Sequence, residues 1–347
     1  MGLDQAWDNE ARSYKGPVEG NGDGLDYRVS ELEMEGCNLQ VFPTAKRVVS
    51  ESAVDLDKPH DGLIVYVPGW GETTAQTEGG FLQSIYQVLA DKRVFNPRVV
   101  GVNPSGRGTA EYHENRDRIS KIGITDELKD TKQIARQLYE QWLSETFVAG
   151  EVSDVTLVGH SMGALGTMAF AEGLLEIAKE FDDTRINISR IVHLMPAISN
   201  FASLKFFKAV FPHVAESLKQ RVQNSGYLEI PRQDHYRMMF ENEDIDPAHY
   251  DRGVPDSAKR FLDLLTNRRS RFEGVLANLK DTEFFVLEGA KDRLLPVNMG
   301  IRWHNYLLDT GHASHHVVGK TFPHSFPYKN FREDQSGELR SFWNRVF

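Results

Sequence analysis

Cysteine is almost absent from this 347-residue chain, which contains only Cys37. A single cysteine has no partner within the chain, so an internal disulfide is excluded and nothing requires an oxidising compartment for folding. Cys37 follows a glycine in a predicted strand, and we interpret it as a small packed residue rather than as a nucleophile.

Long apolar runs are lacking as well. No run approaches the length needed to span a membrane, and residues 1–8 are acidic and polar, without the apolar core of a signal peptide. We therefore expect a cytoplasmic protein with no membrane span. No motif indicates a cofactor, and we expect none.

Positive charge is scarce relative to negative charge. The 40 Lys and Arg residues against 50 Asp and Glu residues give a formal net charge of −10. Such a surface repels the phosphate backbone of nucleic acids and anionic membranes, so we expect no nucleic-acid partner. Hydrophobic residues make up 40% of the chain and charged residues 26%, which is typical of a soluble globular protein. The sequence makes no prediction about the oligomeric state.

Strands and helices alternate along most of the chain, which predicts an α/β protein with a mainly parallel central sheet flanked by helices. Alternating apolar residues between Tyr27 and Val49 predict two or three short antiparallel strands at one edge. The apolar run 63–67 is typical of a strand buried on both faces. Further strands are predicted at 98–102, 155–158, 191–195, 284–287 and 316–318, and helices at 81–89, 126–143, 164–181, 298–308 and 338–346.

The alternation breaks between Pro196 and Leu279, where no strong strand is predicted. An apolar stripe at 206–218 and a second helical segment at 258–265 favour a mostly helical insertion. We predict four segments: an N-terminal lead-in with edge strands (1–59), the first part of the core (60–198), a helical cap (199–281) and the second part of the core (282–347).

The segment Gly159-His-Ser161-Met-Gly163 lies between a β-branched strand and an apolar helix. A Gly-x-Ser-x-Gly turn in this context exposes the serine hydroxyl as a nucleophile, because the turn is sharp and the glycines let strand and helix approach closely. The helix that follows directs free N–H groups and partial positive charge at the site. Ser161 is therefore the candidate nucleophile.

An activated serine needs a base, and the base needs a group that orients it. In proteins with this turn, the partners follow in the chain order serine, acid, histidine, at the carboxyl ends of later strands. Asp292 lies in a glycine-started loop directly after the strand at 284–287 and is the candidate acid. A turn aspartate paired with a neighbouring basic residue is the alternative. Asp281 precedes that strand and Asp309 ends a helix, so both are weaker candidates.

The C-terminal region offers five histidines: His304, His312, His315, His316 and His324. The interval between Asp292 and His324 accommodates one helix and one strand of ordinary length, so we favour His324 as the base, with His312 as the second candidate. A zinc cluster among these histidines is a further alternative. The sequence lacks a compact helical His-x-x-x-His pair with a carboxylate nearby, so we predict no metal.

A tetrahedral oxyanion requires two backbone N–H donors. Met162, directly after the candidate nucleophile, supplies one. The loop Pro68-Gly-Trp70-Gly-Glu72 follows an earlier strand, and its glycines allow close approach of the backbone, so the N–H of Trp70 is the second candidate. A tight strand-ending turn with a packed indole is the alternative for Trp70.

These motifs together resemble the α/β-hydrolase superfamily, over residues 60–198 and 280–347. The turn at Ser161 resembles that of esterases, lipases and thioesterases. The resemblance also covers the loop 68–72, the turn 103–109, the acid loop 289–292 and the dipeptide 323–324. Pro68, Asn103 and Pro323 stand where the family pattern has His, Asp and Gly, which weakens placement in any one subfamily. A serine nucleophile disfavours the dehalogenase and epoxide-hydrolase branches, which use aspartate.

The resemblance implies a serine hydrolase that cleaves a carboxylic ester or lactone through an acyl-enzyme. Phe206, Phe207 and Phe211 in the cap would line an apolar pocket for a small acyl substrate, although such a stripe also fits the core of the cap itself. Acyl transfer or thioester hydrolysis by the same residues, and a non-catalytic ligand-binding protein, are the alternatives.

Overall fold

The computed structural model of the protein describes the following residues of the chain. They are 25–26, 30–34, 37–42, 46–47, 62–69, 85, 88, 97–103, 121–140, 153–198, 219, 227–230, 254–257, 259–260, 263, 269–292, 294–295, 298–324 and 333–347.

Twelve strands lie within the described residues, and eight of them form one sheet. The strands, in chain order, are β1 (Leu25–Asp26), β2 (Ser30–Met34), β3 (Cys37–Phe42), β4 (Lys46–Arg47), β5 (Gly62–Val67), β6 (Pro97–Asn103), β7 (Ser153–His160), β8 (Ile186–Leu194), β9 (Tyr227–Ile230), β10 (Val254–Ser257), β11 (Glu283–Gly289) and β12 (Ser314–Gly319). The order across the sheet is β12-β11-β8-β7-β5-β6-β3-β2. The six strands from β12 to β6 are parallel, and β3 pairs antiparallel with both β6 and β2. The mainly parallel sheet with an antiparallel edge is thus confirmed.

Helices cover both faces of this sheet. They are α1 (Ile124–Leu138), α2 (Gly163–Glu180), α3 (Glu273–Leu276), α4 (Asn298–Asp309) and α5 (Glu333–Val346), with a short 3-10 helix at Arg269–Phe272. Residues of α1 to α4 share one buried apolar cluster with one face of the strands, and α5 packs on the other face. Strand β5 alternates between these layers, since Leu63 and Val65 lie in the first cluster and Ile64 and Tyr66 in the second. None of the helices in the described part of the chain is long and apolar enough to cross a membrane.

The first helix begins two residues before its predicted start at Asp126. A distant carboxylate explains the difference, because the N–H of Ile124 donates to Asp263 Oδ2 at 2.9 Å. Asp126 also accepts the N–H of Gly123 at 2.9 Å. Both carboxylates accept hydrogen bonds from N–H groups that have no partner within the helix. The contact with Asp263 cannot be predicted from local periodicity, because Asp263 is distant in the sequence.

No strong strand is predicted between Pro196 and Leu279, but the structure has two short strands there. Strands β9 and β10 pair there as a two-stranded antiparallel sheet, with Tyr227 opposite Ser257 and Val254 opposite Ile230. Each strand has four residues, and β10 has the sequence Val-Pro-Asp-Ser. A strand this short and polar has no apolar alternation, so its structure depends on pairing with a distant segment.

The strand order determines where a site can form. The chain leaves β5 for β6 on one side and later places β7 on the other side of β5. Such a reversal opens a crevice at the carboxyl ends of the central strands. Residues that follow β5 and β7 therefore meet at one edge of the sheet.

Candidate active site

Ser161 occupies the sharp turn between β7 and α2. Its φ angle is 52°, in the left-handed region that non-glycine residues rarely adopt. Its N–H donates to the carbonyl of Leu194 at 2.8 Å, and its own carbonyl accepts the N–H of Ala197 at 3.0 Å. These two bonds to the end of β8 and the loop behind it stabilise the strained turn and fix the direction of the hydroxyl.

The glycines of the turn are required by close approach of the backbone. A Cβ on Gly163 would collide with the carbonyl oxygens of Val67 and Pro68, at the end of β5. A Cβ on Gly159 would collide with the backbone of Gly163. Both glycines of Gly-x-Ser-x-Gly are therefore needed for β5, β7 and α2 to pack closely around the serine.

Asp292 lies just beyond the end of β11 and is 8% exposed. Its Oδ1 accepts the N–H groups of Leu294 and Leu295, both at 2.8 Å. Its Oδ2 lies 2.7 Å from His324 Nδ1. Because Oδ1 is engaged by the two backbone donors, the carboxylate presents Oδ2 to the imidazole in one fixed orientation.

His324 connects the acid to the serine. It follows β12, is 1% exposed, and its Nε2 lies 3.0 Å from Ser161 Oγ. Asp292 accepts from Nδ1, so Nδ1 carries the hydrogen and Nε2 presents its lone pair to the serine hydroxyl. The structure thus brings together Ser161, His324 and Asp292, three residues that are far apart in the chain.

His312, the second candidate base, lies at the opposite end of the sheet. It precedes β12, and its Nε2 lies 2.9 Å from the carbonyl oxygen of Leu276. Its Nδ1 lies 3.0 Å from Thr310 Oγ1. The adjacent pair His315 and His316 faces elsewhere: His315 stacks on Phe285, and His316 Nε2 contacts Glu288 at 2.6 Å.

The predicted oxyanion donors are only partly within the described residues. Met162 is buried and immediately precedes the first turn of α2, where a helix leaves its backbone N–H groups without internal partners. Pro68 and Gly69 are buried beyond the end of β5. Trp70 lies outside the described residues, as do Phe206, Phe207 and Phe211. Among the described residues, no three His, Cys, Asp or Glu side chains are placed so that they could hold a metal ion.

His193, which the sequence analysis did not single out, lies on β8 behind the turn. Trp303 Nε1–H donates to its Nδ1 at 2.9 Å, and its Nε2–H donates to Thr167 Oγ1 at 3.0 Å. Thr167 in turn donates to the carbonyl of Ala164 in the first turn of α2 at 2.9 Å. Complete burial lowers the pKa of His193 from 6.5 to about 3, so the imidazole is neutral at neutral pH. A histidine inside an apolar strand carries no local signal of these distant partners.

Comparisons with known proteins give structural matches alone. No family model matches the sequence, and no curated protein matches it. An esterase from Pyrobaculum calidifontis, in its monoclinic form, superposes with a TM-score of 0.54 at 14% identity, over 100% of this chain and 92% of that chain. DcsB, in complex with its substrate analogue, superposes with a TM-score of 0.54 at 13% identity, over 92% of this chain and 99% of that chain.

A third solved structure, the esterase LipW from Mycobacterium marinum, superposes with a TM-score of 0.51 at 10% identity, over 99% of this chain and 87% of that chain. Identities this low establish the fold alone. The strand order, the turn at Ser161 and these superpositions agree, and the chain therefore has the α/β-hydrolase fold.

Proposed function

We propose that the protein is a serine hydrolase that cleaves a carboxylic ester, or a lactone, through an acyl-enzyme on Ser161. One observation carries the proposal: buried His324 lies 2.7 Å from the Asp292 carboxylate and 3.0 Å from the Ser161 hydroxyl. A serine, an imidazole and a carboxylate at these distances can activate the serine as a nucleophile.

In the proposed reaction, Ser161 Oγ attacks the substrate carbonyl carbon while His324 Nε2 takes the hydroxyl proton. Asp292 Oδ2 keeps the imidazole in the required tautomer and stabilises the imidazolium that forms. His324 then gives the proton to the leaving alkoxide, and the tetrahedral intermediate collapses to the acyl-enzyme. A water molecule, deprotonated by His324, releases the carboxylic acid and restores the serine.

The N–H of Met162 is the proposed first donor to the oxyanion, because it adjoins the nucleophile at the amino end of α2. The N–H of Trp70 is the proposed second donor, since the described residues Pro68 and Gly69 lead from the end of β5 into the loop that carries it. Losing one donor of this kind costs about 3–4 kcal/mol of transition-state stabilisation. The proposed apolar pocket remains assigned to Phe206, Phe207 and Phe211.

Two of the superposed solved structures are described as esterases, which supports an ester rather than another acyl compound as the substrate. Acyl transfer and thioester hydrolysis use the same three residues and differ only in the acceptor or the leaving group. A ligand-binding protein on the same fold would need no buried histidine between a serine and a carboxylate, so the geometry favours catalysis.

A fluorophosphonate probe tests the proposal, because it reacts with activated serines and the labelled peptide can be identified by mass spectrometry. We expect the wild-type protein to be labelled at Ser161, and the Ser161→Ala variant not to be labelled. A panel of esters, lactones and acyl-thioesters, assayed with and without an alcohol acceptor, then identifies the preferred acyl donor and acceptor. Absence of labelling, or labelling that persists at the same rate in His324→Ala, would overturn the proposal.

A further inference from the structure

His160 is the last residue of β7, immediately before the candidate nucleophile, and its side chain is fully buried. Its Nε2 lies 2.7 Å from the backbone carbonyl oxygen of His324. A carbonyl can only accept, so Nε2 of His160 carries the hydrogen and donates it. The residue next to the serine therefore contacts the residue that would activate the serine.

Hydrogen bonds to its backbone attach the chain around His324 to the acid loop and to β7. The N–H of Ala290 donates to Gly319 at 2.8 Å, and the N–H of Lys291 donates to Phe322 at 3.1 Å. Both lie before His324 and connect its loop to the acid loop. The bond from His160 is made at His324 itself and connects that residue to the strand that carries the nucleophile.

We infer that His160 is a positioning residue, which fixes the backbone of His324 relative to Ser161 so that Nε2 and Oγ remain in contact. The inference rests on the proposed function, because it concerns the same reaction. Asp292 sets the orientation of the imidazole from its Nδ1 side, and His160 sets the position of the backbone from which the ring projects. With both bonds made, the imidazole has little freedom to withdraw from the serine.

The expected loss of rate in a His160 variant follows from the dependence of the reaction rate on the distance between the base and the serine. The imidazole ring of His160 lies 5.1 Å from that of His324, centroid to centroid, at an interplanar angle of 44°. His324 Nε2 contacts Ser161 Oγ directly at 3.0 Å, so the His160 ring does not lie between base and serine. Without the donor, the buried carbonyl of His324 has to find another partner, and the loop has to shift. A displacement of about 1 Å in a reacting group can cost about 100-fold in rate.

The test compares His160→Leu with His160→Gln, whose side-chain amide nitrogen can occupy the place of Nε2. His312→Leu is the matched control, because His312 also places Nε2 at a buried carbonyl, 2.9 Å from Leu276 oxygen, but at the far end of the sheet. For each variant we would measure kcat and KM with a reactive ester, the rate constant of fluorophosphonate labelling and the melting temperature.

We expect His160→Leu to lower kcat and the labelling rate constant by roughly 10–100-fold, with KM changed less than about threefold. His160→Gln should recover most of both rates, and His312→Leu should leave both unchanged. A purely structural role for His160 would lower the melting temperature without this separation of kcat from KM.

Wild-type rates in His160→Leu, or a His160→Gln variant as slow as His160→Leu, would overturn the inference while leaving the proposed function intact. A wild-type protein that is neither labelled nor active would overturn both. If His160→Leu does not fold, His160→Asn gives the same comparison, because its amide is polar but too short to reach the carbonyl.

Discussion

Replacing His324 by alanine should lower kcat/KM for ester hydrolysis by roughly 10³–10⁶-fold. The variant retains Ser161 and the oxyanion donors, but its hydroxyl has no acceptor at 3.0 Å for its proton. Steady-state kinetics with a chromogenic ester, at equal concentrations of folded protein, measure the effect. Circular dichroism establishes that the variant is folded, since the ring lost is a buried one.

The control for this result is His312→Leu, which also removes a buried histidine from the C-terminal region. It should retain the wild-type kcat/KM, because His312 contacts Leu276 and Thr310 rather than the serine. If instead His312→Leu abolished activity and His324→Ala did not, the base would be misassigned. Equal losses in both variants would point to a general effect on folding.

Acidification should destabilise the protein through His193, and His193→Gln should remove that part of the pH dependence. Burial lowers the pKa of His193 from 6.5 to about 3, so the folded state stays unprotonated at a pH where the unfolded chain takes up a proton. The unfolded state then binds more protons, and the free energy of unfolding falls as the pH falls. The loss begins near pH 6.5 and is complete near pH 3.

Within that window the contribution of His193 to the folding equilibrium constant should fall about tenfold for each pH unit. Urea unfolding between pH 7 and pH 5 measures it, because most carboxylates titrate below about pH 5. Glutamine does not titrate, so the free energy of unfolding of His193→Gln should fall less steeply with falling pH than that of the wild type. This holds whatever the difference in stability between the two proteins at pH 7. Thr167→Val removes a partner of the imidazole without removing the imidazole, and should shift the curve while keeping the wild-type slope. Parallel curves for the wild type and His193→Gln would contradict the prediction.

The central sheet could be predicted from the sequence because its strands have a strong local signal. A continuous apolar run such as 63–67 is typical of a strand that is buried on both faces. Segments with the apolar periodicity of a helix separate one such run from the next. Strands β9 and β10 were not predicted, because each has only four residues and forms a sheet only by pairing with the other.

Three residues of the candidate site could be predicted, because their positions follow from the order of strands and helices along the chain. Ser161 has a local signature, and Asp292 lies in a glycine-started loop directly after an apolar strand. The interval of one helix and one strand after Asp292 leads to His324. The structure places these three side chains in contact. Their catalytic roles, and the donor role of Trp70, remain predictions for the experiments above.

The roles of two buried histidines had no signal in the sequence. His160 belongs to the Gly-x-Ser-x-Gly segment, but its partner is the backbone carbonyl of His324, 164 residues further along the chain. His193 lies in an ordinary apolar strand and acquires its surroundings from α2 and α4. Contacts of this kind depend on which elements become neighbours across the sheet, and local periodicity does not encode them.

The central claim is that Ser161 becomes acylated during turnover. Mixing the enzyme with p-nitrophenyl butyrate, quenching at short times and sequencing the peptides by mass spectrometry tests it directly. The account predicts that a butyryl group forms on Ser161 and is removed as fast as the ester is hydrolysed. In Ser161→Ala no butyryl group should accumulate at this position. Hydrolysis at the wild-type rate with Ser161 unmodified, or with the butyryl group on another residue at a rate that matches turnover, would contradict it.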